Sequence, residues 1–367
     1  MKRITTFYSI AVIFTFLIAS STLFAQVTLP RGSQQASISQ KVGISEITIN
    51  YSRPSVKGRE IWGKLVPYGM NNLGFGTAKE SPWRAGANEN STITISDDVT
   101  IQGKALKAGT YGLHIVPLEN GDATIIFSNN STAWGSFFYE PKEDELRVDV
   151  KTNEIDNFEL LTFDFSDVTA NSATISLKWS TKEIPFIIEV PVTEIVLANI
   201  RRELQSTPGF SNQSYVQAAN FALNNGGDLE EALKWVDASI SGQFFSQKNA
   251  NNLLLKSRIL AKMGKQDESI KIVDEASSIA NKNQLNAMGY QMLNLKQYDL
   301  ALKFFKLNIK NDPTDANSYD SLGEAYKTIG DKKNAIKNLK KALSLNPPAN
   351  VKANSEKLLE ELGIKLQ

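Results

Sequence analysis

A spacing of 34 residues near the C-terminal end constrains the fold of this chain more than any other sequence feature. One unit carries apolar and small side chains followed by a proline, at Tyr319, Leu322, Gly323, Tyr326, Ala335, Leu339, Ala342 and Pro347. The same kinds of residue occur 34 positions earlier, at Leu285, Met288, Gly289, Met292, Ala301, Phe305 and Pro313. The small residues suit points where two helices approach closely, and proline ends a helix because it lacks the amide. This period predicts stacked pairs of helices.

Two earlier stretches follow the pattern less closely, around the turns 225–228 and 263–265. The C-terminal half therefore resembles the tetratricopeptide repeat family. We predict a helical linker over 196–212, repeats over 213–367, and a capping helix over 350–363. The hairpins of the repeats are expected at 213–246, 249–281, 282–315 and 316–349.

The resemblance to tetratricopeptide repeats implies a protein or peptide partner, held in a groove that the first helix of each hairpin lines. The groove positions expected from the spacing are Gln217, Phe221, Asn251, Arg258, Asn283, Asn286, Tyr290, Asn317, Asp320 and Glu324. The acidic Asp320 and Glu324 argue against a clamp for a C-terminal carboxylate. An alternative is that the groove packs against the N-terminal half of the same chain.

The first residues predict export. Lys2 and Arg3 precede an uncharged apolar run over 7–19, and small polar residues follow. These are the parts of a secretory signal, and the run is shorter than the about 20 residues that span a bilayer. We predict a signal peptide over 1–25, cleaved after Ala25, and a periplasmic protein or one held at the outer membrane by a partner, with no transmembrane segment in the mature chain. The alternative is an uncleaved N-terminal anchor.

Composition excludes several classes of site. The chain has no cysteine, and His114 is its one histidine, so disulfides, thiol nucleophiles, cysteine zinc sites and two-histidine metal sites are excluded. We expect no metal and no cofactor. Residues 26–195 carry 15 Lys and Arg against 21 Asp and Glu, whereas the residues from 196 onward carry 23 against 18. Neither balance suggests a nucleic-acid partner.

The N-terminal half has the alternation of β-strands. From 44 to 192, apolar residues recur at every second position in short runs that Gly, Asn, Asp and Ser separate. This predicts an antiparallel all-β sandwich or flattened barrel of nine or ten strands over 26–195. His114 is expected on the strand face opposite Tyr111, Leu113 and Ile115, exposed to solvent.

A long irregular segment between Tyr51 and Thr92 interrupts these strands. Loops of this length within a domain are uncommon and are often functional. Arginine beside tryptophan can stack and can present a planar fork to a carboxylate, phosphate or sugar hydroxyl. The candidate ligand-binding residues are Arg53, Lys57, Arg59, Trp62, Trp83, Arg84, Asn88 and Glu89. The alternative is a structural plug that anchors the loop.

Residues 51–69, 83–89, 98–104 and 108–111 carry a resemblance to the exported bacterial family known as domain of unknown function 2911. The resemblance covers about residues 35–190 and implies no established activity. Residues 71–82 depart from the family pattern as an insertion, and we expect this extra loop to cover or alter any site there.

Three functions remain open. The first is an exported interaction or scaffold protein whose repeats hold another polypeptide. The second is a β domain that binds a small anionic or carbohydrate ligand, with repeats for docking. The third is a hydrolase or lyase that uses Glu89 with Arg84 or Arg59. An enzyme is the less favoured class, and no catalytic residue is assigned.

Overall fold

The computed structural model describes residues 29–365, and the chain divides between Pro191 and Val192 into two units. The predicted signal peptide and its cleavage site at Ala25 lie outside the described residues. The first unit is built from strands and the second from helices. Each unit is described by itself below.

Within the described residues, the first unit contains ten strands. They are β1 (Gln34–Val42), β2 (Ser45–Arg53), β3 (Ser91–Ile95), β4 (Val99–Ile101), β5 (Lys104–Leu106), β6 (Gly109–Pro117), β7 (Asp122–Ser128), β8 (Asp144–Lys151), β9 (Asn153–Ser166) and β10 (Ser172–Glu189). One sheet has the order β1-β2-β3-β6-β7-β8, and a smaller sheet has the order β5-β4-β10-β9. All neighbouring strands are antiparallel.

The two sheets meet through side chains that alternate along the strands. Ile47 and Ile49 on β2 are fully buried, as the period of two requires. Tyr51 on the larger sheet meets Phe163 on the smaller sheet edge to face, with ring centroids 4.9 Å apart, and other aromatic pairs join the sheets in the same way. The predicted β-sandwich is therefore confirmed.

Two strands differ from the sequence pattern for physical reasons. Strand β7 reads Asp-Ala-Thr-Ile-Ile-Phe-Ser and is covered on both faces, because Ile125 and Phe127 face the core while Ile126 packs with Val116 and Tyr139. Strand β10 is one strand of 18 residues, although its buried side chains change from odd positions at Ile175, Leu177 and Trp179 to even positions at Phe186 and Ile188. Its pairing with β9 shifts register on either side of Ser180, which has a φ of +52°. This irregularity resets the phase of the alternation.

The second unit contains ten helices within the described residues. They are α1 (Val192–Glu203), α2 (Asn212–Asn225), α3 (Leu229–Ile240), α4 (Ala250–Lys262), α5 (Gln266–Ser277), α6 (Lys282–Asn294), α7 (Tyr298–Asn311), α8 (Ala316–Thr328), α9 (Lys332–Ser344) and α10 (Ala349–Glu361). From α2 to α9 they form four successive hairpins, and α10 packs on α8 and α9. No helix of residues 29–365 is long and apolar enough to cross a membrane.

Small residues set the distance between the helices of a hairpin. A Cβ atom on Gly289 of α6 would lie 2.5 Å from the Phe305 ring of α7, and one on Gly323 of α8 would lie 2.7 Å from Leu339 of α9. Helix starts are fixed by side-chain oxygens, because Asp228 and Asp315 each accept hydrogen bonds from amides of the first turn. The predicted all-α repeat architecture is confirmed.

Candidate functional site

The segment between β2 and β3 is irregular but fixed at both ends. The amide of Val56 donates to the carbonyl of Glu159 on β9 at 2.8 Å. Further along, Trp83 and Ile115 on β6 exchange backbone hydrogen bonds of 2.9 and 2.8 Å. The segment therefore crosses from the smaller sheet to the larger one, and its side chains reach the end of the sandwich core.

Three tryptophans meet where this segment covers the core. Trp83 stacks on Trp179 of β10 with ring centroids 5.8 Å apart, and Trp62 stands edge-on to both. The indole of Trp62 donates to the carbonyl oxygen of Trp179 at 3.3 Å, and that of Trp83 donates to the carbonyl of Gly86 at 3.2 Å. The indole Nε1 of Trp179 is buried and has no hydrogen-bond partner within residues 29–365.

Arg84 is half-buried beside this cluster. Its Nη1 donates to the carbonyl of Asn88 at 2.6 Å, and its guanidinium lies 5.0 Å from the centroid of the Phe137 ring. A Cβ atom on Gly135 would lie 2.3 Å from Arg84 Cζ, so glycine leaves the space that the guanidinium fills. Burial lowers the pKa of Arg84. In the described part of the chain, no carboxylate forms an ion pair with Arg84.

The predicted solvent exposure of His114 is wrong, because its side chain is 2% exposed. The residues after β7 cover this face of the sheet, and His114 Nδ1 lies 3.1 Å from the hydroxyl of Ser136 there. Burial and, secondarily, the charge of Arg84 lower the pKa of His114 to about 4. The histidine is therefore neutral at physiological pH.

A cavity of about 400 Å³ opens beside the tryptophan cluster. Four of the predicted ligand-binding residues line it, namely Arg59, Trp83, Arg84 and Asn88. Asn71 and Leu73 of the inserted loop also line it, together with Trp179. Trp179 could not be assigned to this site from the sequence, since the alternation along β10 indicates only a core position for it.

The other four candidates lie elsewhere. Trp62 is buried behind Trp83, and Arg53 is bonded to the carbonyl of Leu161 and the hydroxyl of Thr162. Lys57 is exposed and does not line the cavity. Glu89 also lies outside the cavity, where it pairs with Arg31 at 2.5 Å.

The environment of Glu89 does not favour catalysis. Burial raises the pKa of Glu89, but the hydrogen bond and charge of Arg31, with a backbone hydrogen bond, outweigh this and place the pKa below its usual value. A general acid or base at neutral pH needs a carboxyl whose pKa is raised. Glu89 and Arg59 also do not share a pocket. Residues 29–365 contain no group of three or more His, Cys, Asp or Glu that could hold a metal ion.

A second candidate site is a groove of about 620 Å³ across α2, α4 and α6, the first helices of three successive hairpins. Its polar lining is mostly amides, at Asn212, Gln213, Asn220, Gln247, Asn249, Asn251, Asn252 and Gln291. Val216, Leu254, Leu255 and Met288 add apolar surface. Arg258 is the one charged residue among the described residues that line it.

Of the groove positions expected from the sequence, Asn251 and Arg258 line this groove. Gln217 and Phe221 instead line a separate cavity of about 410 Å³ against Ile200 of α1 and against Leu204 and Pro208, which follow α1. A helix that precedes the first hairpin therefore occupies the place where a groove was expected. The sequence signal for this groove is the helical spacing of Gln213, Val216 and Asn220, which places two amides and an apolar residue on one face of α2.

The remaining expected positions lie on α6 and α8. Tyr290 donates its hydroxyl hydrogen to Glu324 at 2.8 Å, so these two side chains are engaged with each other. Asn286 and Asn317 are half-buried and Asn283 is exposed, and none of the three lines the groove. The groove position expected for Asp320 is wrong. Its side chain is buried and accepts hydrogen bonds from Asn354 and Ser355 of α10. Burial raises the pKa of Asp320.

Two family models match the chain. Residues 33–188 match the family described as protein of unknown function (DUF2911), and residues 316–348 match a tetratricopeptide repeat. These matches confirm the two resemblances seen in the sequence. No curated protein matches the chain.

Several solved structures are similar to part of the chain. A crystal structure of MamA is 15% identical over 42% of this chain and 89% of MamA, with a TM-score of 0.33. YrrB, described as a TPR protein with an unusual peptide-binding site, is 18% identical over 45% of this chain and 84% of its own, with a TM-score of 0.33. The C-terminal part of a TPR repeat-containing protein from Cytophaga hutchinsonii is 17% identical over 46% of this chain and 70% of its own, with a TM-score of 0.34.

Proposed function

We propose that this chain is an exported interaction protein and that its repeat unit binds an extended peptide segment of a partner across α2, α4 and α6. The observation that carries the proposal is the amide-rich lining of the groove on these three helices. A side-chain amide offers both donors and an acceptor, so a row of them can pair with the N–H and C=O groups of an extended backbone.

The network behind the groove shows which amides are available. Asn252 is buried, and its Nδ2 donates to the carbonyl of Gln247 at 3.0 Å, with longer contacts to Ser239 and Asn212. It holds the segment before α4 in place. The neighbouring Asn251 is exposed, and its Oδ1 accepts a hydrogen bond from Gln284 at 2.6 Å, while its Nδ2 has no acceptor within residues 29–365 and can donate to a peptide. Asn252 therefore positions the groove, whereas Asn251 contacts the ligand.

The charge of the groove selects the peptide. Arg258 donates to the amide oxygen of Asn224 at 3.3 Å and, within residues 29–365, has no carboxylate partner. Because no acidic residue lines the groove, a peptide with an Asp or Glu side chain opposite Arg258 is favoured over a basic one. The apolar residues between the amides add contact for small apolar side chains.

A panel of immobilised 12-residue peptides that differ in net charge tests the proposal. The full chain should retain acidic peptides, and Arg258→Gln should weaken that retention at least tenfold, since losing a charge-assisted hydrogen bond costs about 1.5–3 kcal/mol. Arg202→Gln is the matched control, because Arg202 is an exposed arginine of α1 outside the groove. Retention that falls equally in both variants, or no retention of any peptide, would contradict the proposal.

Export is the second part of the proposal and rests on the basic residues and apolar run of the first 25 positions. Phe14→Lys with Phe16→Lys breaks that run, so the chain should stay in the cytoplasm, whereas Thr15→Ser should be exported normally. Cell fractionation measures the distribution, and mass spectrometry of the exported protein should find Gln26 at its N-terminus. Export of the double-lysine variant would contradict this part.

A further inference from the structure

We propose that the cavity beside the tryptophan cluster of the first unit binds a small carboxylate that carries an apolar ring. The site lies on Arg59, Arg84, Asn88 and Trp179, in a different unit from the peptide groove. Three independent features of the cavity carry this inference: its uncompensated charge, an unused donor, and an apolar wall.

The charge of the cavity is positive and uncompensated. Its lining includes two arginines and, among the described residues, no Asp or Glu. Arg59 donates through Nε to the carbonyl of Val56 at 3.0 Å and through Nη2 to Ser55, contacts that orient it without neutralising it. A half-buried charge such as that of Arg84 is poorly screened by water, and an anion in the cavity relieves this.

The buried indole of Trp179 provides the unused donor. Trp62 and Trp83 both donate to backbone carbonyls, whereas Trp179 Nε1 has no acceptor within residues 29–365 although its side chain is 1% exposed. Buried donors without a partner are rare in folded proteins. A carboxylate supplies two acceptor oxygens, enough for the indole and for one arginine at the same time.

The wall of the cavity selects an apolar body over a sugar or a phosphate. Leu65, Val66, Leu73 and three prolines contribute to the lining with the ring of Trp83. A sugar would leave much of this apolar wall without contact, and a phosphate would pair with the arginines but would not contact the wall. The volume of about 400 Å³ suits a small ring-bearing ligand.

A matched pair of probes tests the charge requirement. By isothermal titration calorimetry with the full chain, 2-naphthoate should bind at least tenfold more tightly than 2-naphthylmethanol, which keeps the ring system and lacks the carboxylate. Arg59→Gln and Arg84→Gln should each weaken 2-naphthoate at least fivefold. Lys57→Gln is the control, because it removes a cation of the same loop that does not line the cavity. Arg59 is exposed, so Arg59→Gln should fold normally and still tests the charge requirement if Arg84→Gln unfolds.

The indole N–H signals test the place of binding. The chain has five tryptophans, so the ¹H–¹⁵N spectrum should show five indole signals, of which Trp179→Phe removes one. The Trp179 signal should move downfield with 2-naphthoate and much less with 2-naphthylmethanol, while that of Trp235 in the repeat unit stays in place. Equal affinity of the two probes, no binding of 2-naphthoate, or an unmoved Trp179 signal would each overturn the proposal, as would inorganic phosphate binding with the same arginine dependence.

Discussion

The two candidate sites of this chain are built in opposite ways. The groove of the repeat unit lies on three regular helices, each the first of a hairpin, and its polar groups are neutral amides with one arginine. The cavity of the β unit lies under a segment without regular structure, and it gathers two arginines and a tryptophan whose indole donor is unused. The recognition that we propose therefore uses many weak neutral contacts in the groove and a few charged contacts in the cavity.

The two units also differ in whether the buried polar groups at these places have hydrogen-bond or ionic partners. In the repeat unit, the buried polar residue Asp320 is satisfied by Asn354 and Ser355 of the neighbouring helix. In the β unit, Arg84 and Trp179 remain without a carboxylate or an acceptor among the described residues. Since an unpaired buried group destabilises the fold, we infer that the β unit gives up some stability within its site, whereas the buried atoms without a partner in the described repeat unit, at Ser257, Gln266, Asn286 and Asn308, lie outside its groove.

We expect the largest loss of stability from a substitution in the packed interior of the repeats. Phe305→Ala should lower the free energy of unfolding by about 3–5 kcal/mol, because Phe305 is fully buried against Gly289 and leaves a cavity. Phe244→Ala should change it by less than about 0.5 kcal/mol, since that ring is 81% exposed. Urea unfolding followed by helical circular dichroism measures both. Similar losses in the two variants would show that the helices are not held by this packing.

A second prediction concerns the stability of the β unit at acidic pH. The one histidine of the chain, His114, lies in this unit, so its protonation affects this unit and not the repeats. The pKa of His114 is lowered to about 4 by burial and by Arg84. The unfolded chain therefore binds a proton more readily than the folded one, so stability should fall as the pH drops from about 6.5 and level off below about 4, a loss of about 3 kcal/mol from this residue.

The control for the acid prediction is His114→Gln, which keeps a polar side chain near Ser136. Its unfolding free energy should lack this part of the acid dependence, whereas carboxylates elsewhere in the chain contribute equally to both proteins. Unfolding in urea at a series of pH values between 4 and 7 gives the two curves. Parallel curves would mean that His114 takes up a proton in the folded state and is not sealed beside Arg84.

The sequence predicted the helical repeats well because each helix repeats the same few contacts. Gly289 and Gly323 are 34 positions apart and meet a side chain of the next helix in the same way, so periodicity alone located them. The alternation along β2 and β9 likewise predicted a covered sheet. Where a strand is covered on both faces, as at Ile126 of β7, the alternation disappears and the sequence pattern does not mark the strand.

The sites were harder to predict because their contacts have no period. Arg59, Trp83, Arg84 and Asn88 come from one loop and line one cavity, yet Trp179 is about a hundred positions away on β10. His114 was misjudged since its cover comes from residues after β7, which carry no strand or helix pattern. Gln217 and Phe221 were misplaced because α1 packs where an open groove face was expected.

A third prediction concerns the contact between Gly135 and the Arg84 guanidinium in the β unit. Gly135 has a φ of +64°, and its Cβ would overlap the Arg84 guanidinium, whereas Gly121 has a φ of +82° with open space around it. Both Gly→Ala changes should lower stability by about 1–2 kcal/mol through backbone strain. Gly135→Ala should lose about 1–3 kcal/mol more through overpacking and should also weaken 2-naphthoate. If urea unfolding shows that Gly135→Ala and Gly121→Ala lower the free energy of unfolding equally, the Arg84 side chain moves aside without cost.

The smallest effect should separate two adjacent residues of the groove. Asn252→Ala should lower the free energy of unfolding by about 1–2 kcal/mol, because it leaves the carbonyl of Gln247 without the Asn252 donor. Asn251→Ala should hardly change stability but should reduce retention of acidic peptides, since the Asn251 amide is exposed in the groove. Urea unfolding and the peptide panel measure the two effects on the same proteins. If Asn251→Ala unfolds the chain as readily as Asn252→Ala, its amide belongs to the scaffold, and the groove recognises peptides through Arg258 and its apolar residues instead.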